Sequence, residues 1–222
     1  MTKRFIIEDG EIKDYNGKQK KVVIPDGVTS IGAWSFSSNK YIESVIIPDS
    51  VTFIKEGAFS ECSNLTQITM PSSITEVGSY AFRFTNISTF APDSVTKIGE
   101  EVYRGCRNLA NSEGFVIFRN VLYGYYGDSD NVIIPDDITQ IEGWAFYECK
   151  NIVSVSVPKG VKSIGYGAFR SCENLTSLCI PDSVQEISNE SFFESDNVVI
   201  YAPAGCCAEQ YAKENNIKFN VI

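Results

Sequence analysis

The stretch Ile47-Pro48-Asp49-Ser50-Val51-Thr52-Phe53-Ile54-Lys55-Glu56-Gly57-Ala58-Phe59-Ser60-Glu61-Cys62-Ser63-Asn64-Leu65-Thr66-Gln67-Ile68-Thr69 decides the fold, because the chain goes on repeating it. Its pattern, Ile-Pro-Asp-x-Val-x-x-Ile-Gly-x-x-Ala-Phe-x-x-Cys-x-Asn-Leu-x-x-Val-x, returns about every 23 residues, with its proline at Pro25, Pro48, Pro71, Pro92, Pro135, Pro158, Pro181 and Pro203. A unit of that length is one coil. It cannot bury its own apolar side chains and must stack on its neighbours, so the chain reads as a solenoid with capped ends.

Within a coil, Leu65, Ile68 and Met70 first skip two residues and then alternate, as a turn entering a short strand requires. Proline ends the strand, since it lacks an amide donor. It is expected at the first central position of a turn whose amides the following Asp26, Asp49, Asp93, Asp136 or Asp182 can bond. Val51 and Ile54, then Ala58 and Phe59, point back inward from the opposite wall. Stacking converts equivalent positions into ladders: an aromatic spine of Phe36, Phe59, Phe82, Tyr103, Phe146, Phe169 and Phe192, and a polar one of Asn64, Asn86, Asn108, Asn151, Asn174 and Asn197 that satisfies backbone groups in the turn before each strand.

A longer repeat lies over the short one. Phe5 pairs with Phe115, Ile12 with Leu122, Tyr15 with Tyr125, Gly17 with Gly127, Pro25 with Pro135 and Trp34 with Trp144, all at an offset of 110. Gly10 pairs with Asn120, the two residue types that best tolerate positive φ in a hairpin turn. The chain is therefore expected to be one domain over 1–222: a hairpin at 5–23, a repeat array at 24–110, a second hairpin at 111–134, a second array at 135–203 and a cap at 204–222. In the cap, 204–216 offers a helix with Cys207, Tyr211 and Ala212 on one face and Asn215 and Asn216 as its stop, before the alternating Ile217, Phe219 and Val221.

Composition excludes several function classes. The chain of 222 residues carries a net charge of −9 and no local Lys/Arg cluster reverses that sign, so nucleic acid is not expected as a partner. It has no histidine, which removes histidine-dependent triads, His-containing zinc sites and the usual base near neutral pH. No apolar run approaches the roughly 18 to 20 residues of a membrane span, and no membrane insertion is expected. Phe5, Ile6 and Ile7 run straight into Glu8 and Asp9, short of a secretory signal core. That reading places the protein inside the cell unless a targeting segment has been removed.

These elements resemble the BspA-like leucine-rich repeat family, whose consensus carries the same Ile-Pro, Ile-Gly, Ala-Phe and Cys-x-Asn-Leu. The final Ala202-Pro203-Ala204-Gly205, Tyr211-Ala212 and Ile217-Lys218-Phe219 look like the family's terminal cap. The resemblance implies an α/β-type repeat solenoid: a curved, right-handed leucine-rich repeat with a parallel sheet on its concave side, here with two β-hairpin inserts and a helix-strand cap. It also implies a bacterial surface protein that adheres to host proteins or other cells, with an extracellular-matrix or cell-surface protein as partner. It brings no catalytic motif, metal or cofactor. The oligomeric state is left open.

Binding in such repeats falls on outward positions of the concave strands. Counting back from each proline gives one column of Lys21, Ser44, Gln67, Asn131, Ser154 and Ser177 and another of Val23, Ile46, Thr69, Ile133, Ser156 and Cys179. About eight rungs of 17 Å strands would span roughly 650 Å², slightly under one side of a standard interface. An alternative anchor is the aromatic cluster of the second hairpin, Phe118, Tyr123, Tyr125 and Tyr126. Cys62, Cys106, Cys149 and Cys172 share one repeat position and are expected as buried free thiols, because parallel side chains on adjacent rungs do not converge into a disulfide. Cys206 and Cys207 lack metal-ligand spacing, and Cys207 at a helix start is a candidate for an acidified thiol. A carboxylate enzyme would need two acids set apart in a pocket, and Glu56, Glu61, Glu148 and Glu173 show no such pairing.

Overall fold

The computed structural model describes residues 4–222. Two compact units divide the chain, Met1–Leu109 and Ala110–Ile222, each a stack of β-coils.

In the first unit, β1 (Phe5–Glu8) and β2 (Glu11–Tyr15) form an antiparallel pair closed by Asp9 and Gly10, both at positive φ. Two such residues make the turn that matches the natural twist of a hairpin. The coils then alternate between two walls. β3 (Lys21–Val23), β5 (Ser44–Ile46) and β7 (Gln67–Thr69) form a parallel three-stranded sheet. β4 (Ser30–Ile31), β6 (Phe53–Ile54), β8 (Glu76–Val77) and β9 (Lys97–Ile98) continue from β2 into a six-stranded sheet. The hairpin thus starts the second wall, and it ends at Tyr15, while 21–23 already belongs to the first wall.

The second unit repeats the plan. β10 (Phe115–Phe118) and β11 (Val121–Tyr125) pair around Arg119 and Asn120, again both at positive φ. β12 (Asn131–Ile133), β14 (Ser154–Ser156) and β16 (Ser177–Cys179) build the first wall, and β13 (Gln140–Ile141), β15 (Ser163–Ile164) and β17 (Glu186–Ile187) the second. β18 (Val199–Ala202) and β19 (Lys218–Val221) extend the first wall in parallel, joined by α1 (Cys207–Glu214). The helix buries Ala208, Tyr211 and Ala212 and stops at Asn215, so the last coil is closed by a helix and a strand.

Proline stands one corner earlier than the sequence reading puts it. Val51 N donates to the Pro48 carbonyl at 3.1 Å and Val161 N to that of Pro158 at 3.2 Å, so proline is the first residue of the turn and the following Asp49 or Lys159 the first central one. The reason is the ladder: Ile47 N, just before Pro48, still pairs with Thr69 O, and the missing donor falls where the strand has ended.

The third wall of each coil is a pair of turns. Each coil places two residues in the left-handed region four apart, as Trp34 and Ser38, Gly57 and Glu61, or Tyr80 and Phe84. Coil-to-coil bonding continues there: Trp34 N, Phe36 N and Ser38 N donate to the carbonyls of Glu56, Ala58 and Ser60. Between these bonds the aromatic spine runs inward. Phe36, Phe59, Phe82 and Tyr103 stack at 4.9, 5.8 and 6.2 Å, and Phe146, Phe169 and Phe192 at 4.7 and 5.4 Å. Tyr15 and Tyr125 head the two spines, packing on Phe36 and Phe146.

The polar ladders fill the rest. Asn64 Nδ2 donates to Lys40 O, Asn86 to Ser63 O, Asn174 to Lys150 O and Asn197 to Glu173 O, each reaching one coil back. The cysteine slot does the same work in the interior. The thiols of Cys62, Cys106 and Cys172 donate to the carbonyls of Phe36, Phe82 and Phe146 at 3.0 Å, and Ser195 takes that place against Phe169. A small donor is needed there because the aromatic residue's carbonyl is cut off from water.

Candidate functional site

The two outward columns form as counted. In the first unit Lys21, Ser44 and Gln67 stand in register, as do Val23, Ile46 and Thr69, while Val22, Val45 and Ile68 between them face the core. In the second unit Asn131, Ser154 and Ser177 align beside Ile133, Ser156 and Cys179, with Val132, Val155 and Leu178 inward. The second column runs on through Tyr201 and Asn220. Ile133 is 76% exposed and Val23 58%, an apolar content that a merely solvated sheet does not need.

These faces are smaller than the sequence reading makes them. The strands are three residues long rather than the five that 17 Å implies, because each coil must turn after its proline and spread its residues over three walls. The second sheet, with five strands of roughly 10 Å, offers on the order of 240 Å², and the three-stranded sheet less. Neither reaches one side of a standard interface, so residues beyond the strands must join any protein contact.

Apart from Lys21 and Lys218, side-chain chemistry on the faces is uncharged, and it is partly preordered. Ser154 Oγ donates to Asn131 Oδ1 at 2.6 Å, and Asn131 Nδ2 donates to Asp130 at 2.7 Å. In the first unit Lys20 pairs with Glu43 at the rim, which raises the lysine's pKa through the hydrogen bond to Glu43.

The hairpin tyrosines do not form an exposed anchor. Tyr125 is 3% exposed between Phe115 and Phe146, with ring centroids 5.0 and 5.5 Å away, and Tyr123 is equally buried. Of the three, only Tyr126 keeps partial exposure. Tyr125 is taken inward because it continues the spine, as Tyr15 does in the first unit.

The buried thiols Cys62, Cys106 and Cys172 are inert in character. All seven cysteines are free; burial pushes Cys62 up to about 12 and Cys106 up to about 11, and raises Cys172 likewise. Cys207, read as a possible acidified thiol, is shifted upward instead, because burial outweighs its place at the helix start. Among the acids singled out, Glu173 pairs with Lys150 at 2.8 Å and Glu61 accepts from Ser38, each tying one coil to the next at the surface. Among the described residues no three His, Cys, Asp or Glu side chains group as metal ligands, and no helix is long and apolar enough to cross a membrane.

The repeat signature itself is matched by the BspA type leucine rich repeat region, in six copies over residues 14–112 and 117–204. The chain belongs to the BspA-type leucine-rich repeat family. A leucine-rich repeat protein from Eubacterium ventriosum shares its fold, at 21% identity and a TM-score of 0.60 over 88% of this chain. The chain spans 66% of that protein's length. A leucine rich repeat protein of T. pallidum aligns at 24% identity and TM-score 0.48 over 95% of this chain and 89% of that one. A leucine rich cell surface protein from Faecalibacterium prausnitzii aligns at 20% identity and TM-score 0.49, over 98% and 92%. No curated protein matches the chain.

Sequence reasoning missed two features of the surface. The second wall is a hydrogen-bonded sheet whose two-residue strands are too short to show alternation. The other is a set of exposed aromatic side chains at the left-handed turns, Trp34 at 46% and Phe84 at 40% exposure in one unit, Tyr166 at 43% and Phe193 at 46% in the other. Trp34 and Phe84 each lie four residues from a second left-handed residue, Tyr166 and Phe193 each immediately precede one, and Trp34 repeats as Trp144.

Proposed function

We propose that this chain is a non-catalytic protein-interaction module of adhesin type, which holds a host or cell-surface protein on the outward columns of its short-strand sheets. The reading takes that sheet as the concave wall of a curved, right-handed coil stack, as family membership implies. One observation carries it: in each unit's short-strand sheet, small and mostly uncharged side chains stand in register with exposed apolar ones, Val23 and Ile46 in the first and Ile133 in the second, where they cost little to desolvate.

The faces are too small to act alone, so the contact extends to the rim residues Lys20 and Glu43 in the first unit and Asp130 in the second. The test is binding to a panel of extracellular-matrix and cell-surface proteins, beside a variant with Ser44, Gln67, Ser154 and Ser177 all changed to Arg. Loss of binding by the folded variant supports the columns. Equal binding by both moves the contact elsewhere on the chain, and binding by neither favours a passive scaffold.

A further inference from the structure

The first unit has a cleft of about 420 Å³ where the exit of its hairpin meets the turns of its first coil, lined by Asp14, Asn16, Lys18, Trp34, Ser37 and Tyr41 among others. We propose that this cleft is a saccharide-binding site that seats one neutral pyranose unit of a glycan.

Two aromatic side chains are held in the open there, Trp34 at 46% and Tyr41 at 50% exposure. The indole is seated rather than loose. It lies on Gly57 of the following coil, where a Cβ would come within 2.5 Å of three ring atoms, and its ring stacks toward Tyr80 at 6.4 Å. Glycine at 57 is therefore required by the ring, as well as by its positive φ.

Tyr41 stands where six later coils place their ladder asparagine. In the second unit that asparagine, Asn151, donates to Gly127 O at the hairpin exit. In the first unit the same duty passes to Asn39, whose Nδ2 donates to Gly17 O at 3.0 Å while its Oδ1 accepts from Tyr41 N at 3.0 Å. Asn39 replaces the small thiol of the cysteine slot to do so. This exchange pins the hairpin exit to the coil and frees position 41 for an exposed ring, so two departures from the repeat combine to build one cleft.

The polar groups match the rim of a sugar. A pyranose has a face of C–H groups that packs on an aromatic plate and a ring of hydroxyls that both donate and accept. The cleft supplies a carboxylate in Asp14, an amide in Asn16, a hydroxyl in Ser37 and an ammonium in Lys18, whose Nζ lies 5.4 Å from the centroid of the Tyr41 ring. Asp14 offsets one of the two lysines, Lys18 and Lys40, that line the cleft. The second unit carries Gly124, Tyr126, Asp128, Tyr147 and Asn151 at the positions of Asp14, Asn16, Lys18, Ser37 and Tyr41, and does not reproduce this set.

The experiment places Trp34 as the sole tryptophan in Trp144→Phe and follows its fluorescence during titration with neutral tetrasaccharides of glucose, mannose, galactose and N-acetylglucosamine. Calorimetry on the unaltered chain checks that Trp144→Phe has not altered the fold. The expected result is a saturable spectral shift with at least one sugar, weakened at least tenfold by Tyr41→Ala and by Asp14→Ala. A glycoprotein bearing the same sugar, tested before and after enzymatic deglycosylation, separates protein-linked glycan from free polysaccharide as the source. No saturable shift with any of the four sugars, equal affinity in Tyr41→Ala, or binding only to sulfated saccharides would overturn the proposal.

Discussion

The two hairpins with their first coils are the same structure built twice, and they differ almost wholly on the outside. Tyr15 and Tyr125 head equivalent spines, Gly17 and Gly127 lie under the two tyrosine hydroxyls, and both hairpins turn on two left-handed residues. Yet Tyr41 becomes Asn151, Asn39 becomes Cys149, and Lys18 becomes Asp128. Interior positions answer to the coil above and the coil below at once, so a change there must suit both neighbours. Exposed positions answer to solvent or to a ligand, and are free to diverge.

The comparison breaks first if the interiors are not equivalent. Phe59→Ala and Phe169→Ala should each cost about 3 to 5 kcal/mol in denaturant unfolding, since both rings are fully buried between two others. A loss below about 1 kcal/mol in either would mean that its spine is not a packed stack.

It sharpens next at the cysteine slot, a pattern shared by both units. Cys172→Ala removes the donor to Phe146 O and should cost about 1 kcal/mol, whereas Cys172→Ser, which copies Ser195, should cost less. The same slot sets reactivity. In the folded chain Cys62, Cys106 and Cys172 should resist an aromatic disulfide reagent at pH 8 and label only on unfolding, after the partly exposed Cys179 and Cys206. Because burial raises these thiols, their contribution to stability is complete below the ordinary value of 9.0 and is lost as pH rises from there toward about 11 and 12. Alkaline titration of the unfolding free energy should therefore show a decline that Cys62→Ser lessens.

The smallest effect belongs to a feature of the first unit alone. Glu11 bonds Lys55 at 2.6 Å and Lys13 at 3.2 Å, and Val121 and Gly165 hold the positions of Glu11 and Lys55 in the second unit. The hydrogen bond from Lys55 holds Glu11 below its usual 4.5, so the stabilisation is present above that value and disappears as pH falls through the lowered one. With the lysines in water, Glu11→Gln should cost at most about 0.5 kcal/mol at neutral pH, and nothing in strong acid.

What was legible beforehand follows the same division. The spines of Phe36, Phe59 and Phe169, the asparagine ladder and the cap around Tyr211 were plain in the sequence because each repeats or shows a period that only one structure explains. The proline corner was misread by one residue, since the sequence shows that a turn occurs but not which carbonyl closes it. Tyr123 and Tyr125 were ambiguous because alternation in a hairpin strand does not say which face becomes interior. The cleft at Trp34 and Tyr41 was hidden for a different reason: it rests on a departure, Asn39 in a cysteine slot, that gains meaning only when Gly17 O is seen to be its partner.

The central claim, that the short-strand faces do the binding, is tested most directly by dividing the arginine changes between the units. Ser44→Arg with Gln67→Arg alters one face, Ser154→Arg with Ser177→Arg the other, and each pair is titrated against the same captured protein ligand with melting temperature recorded alongside. The account predicts at least a tenfold loss of affinity for one pair with an unchanged melting temperature. Full affinity in both pairs would contradict it.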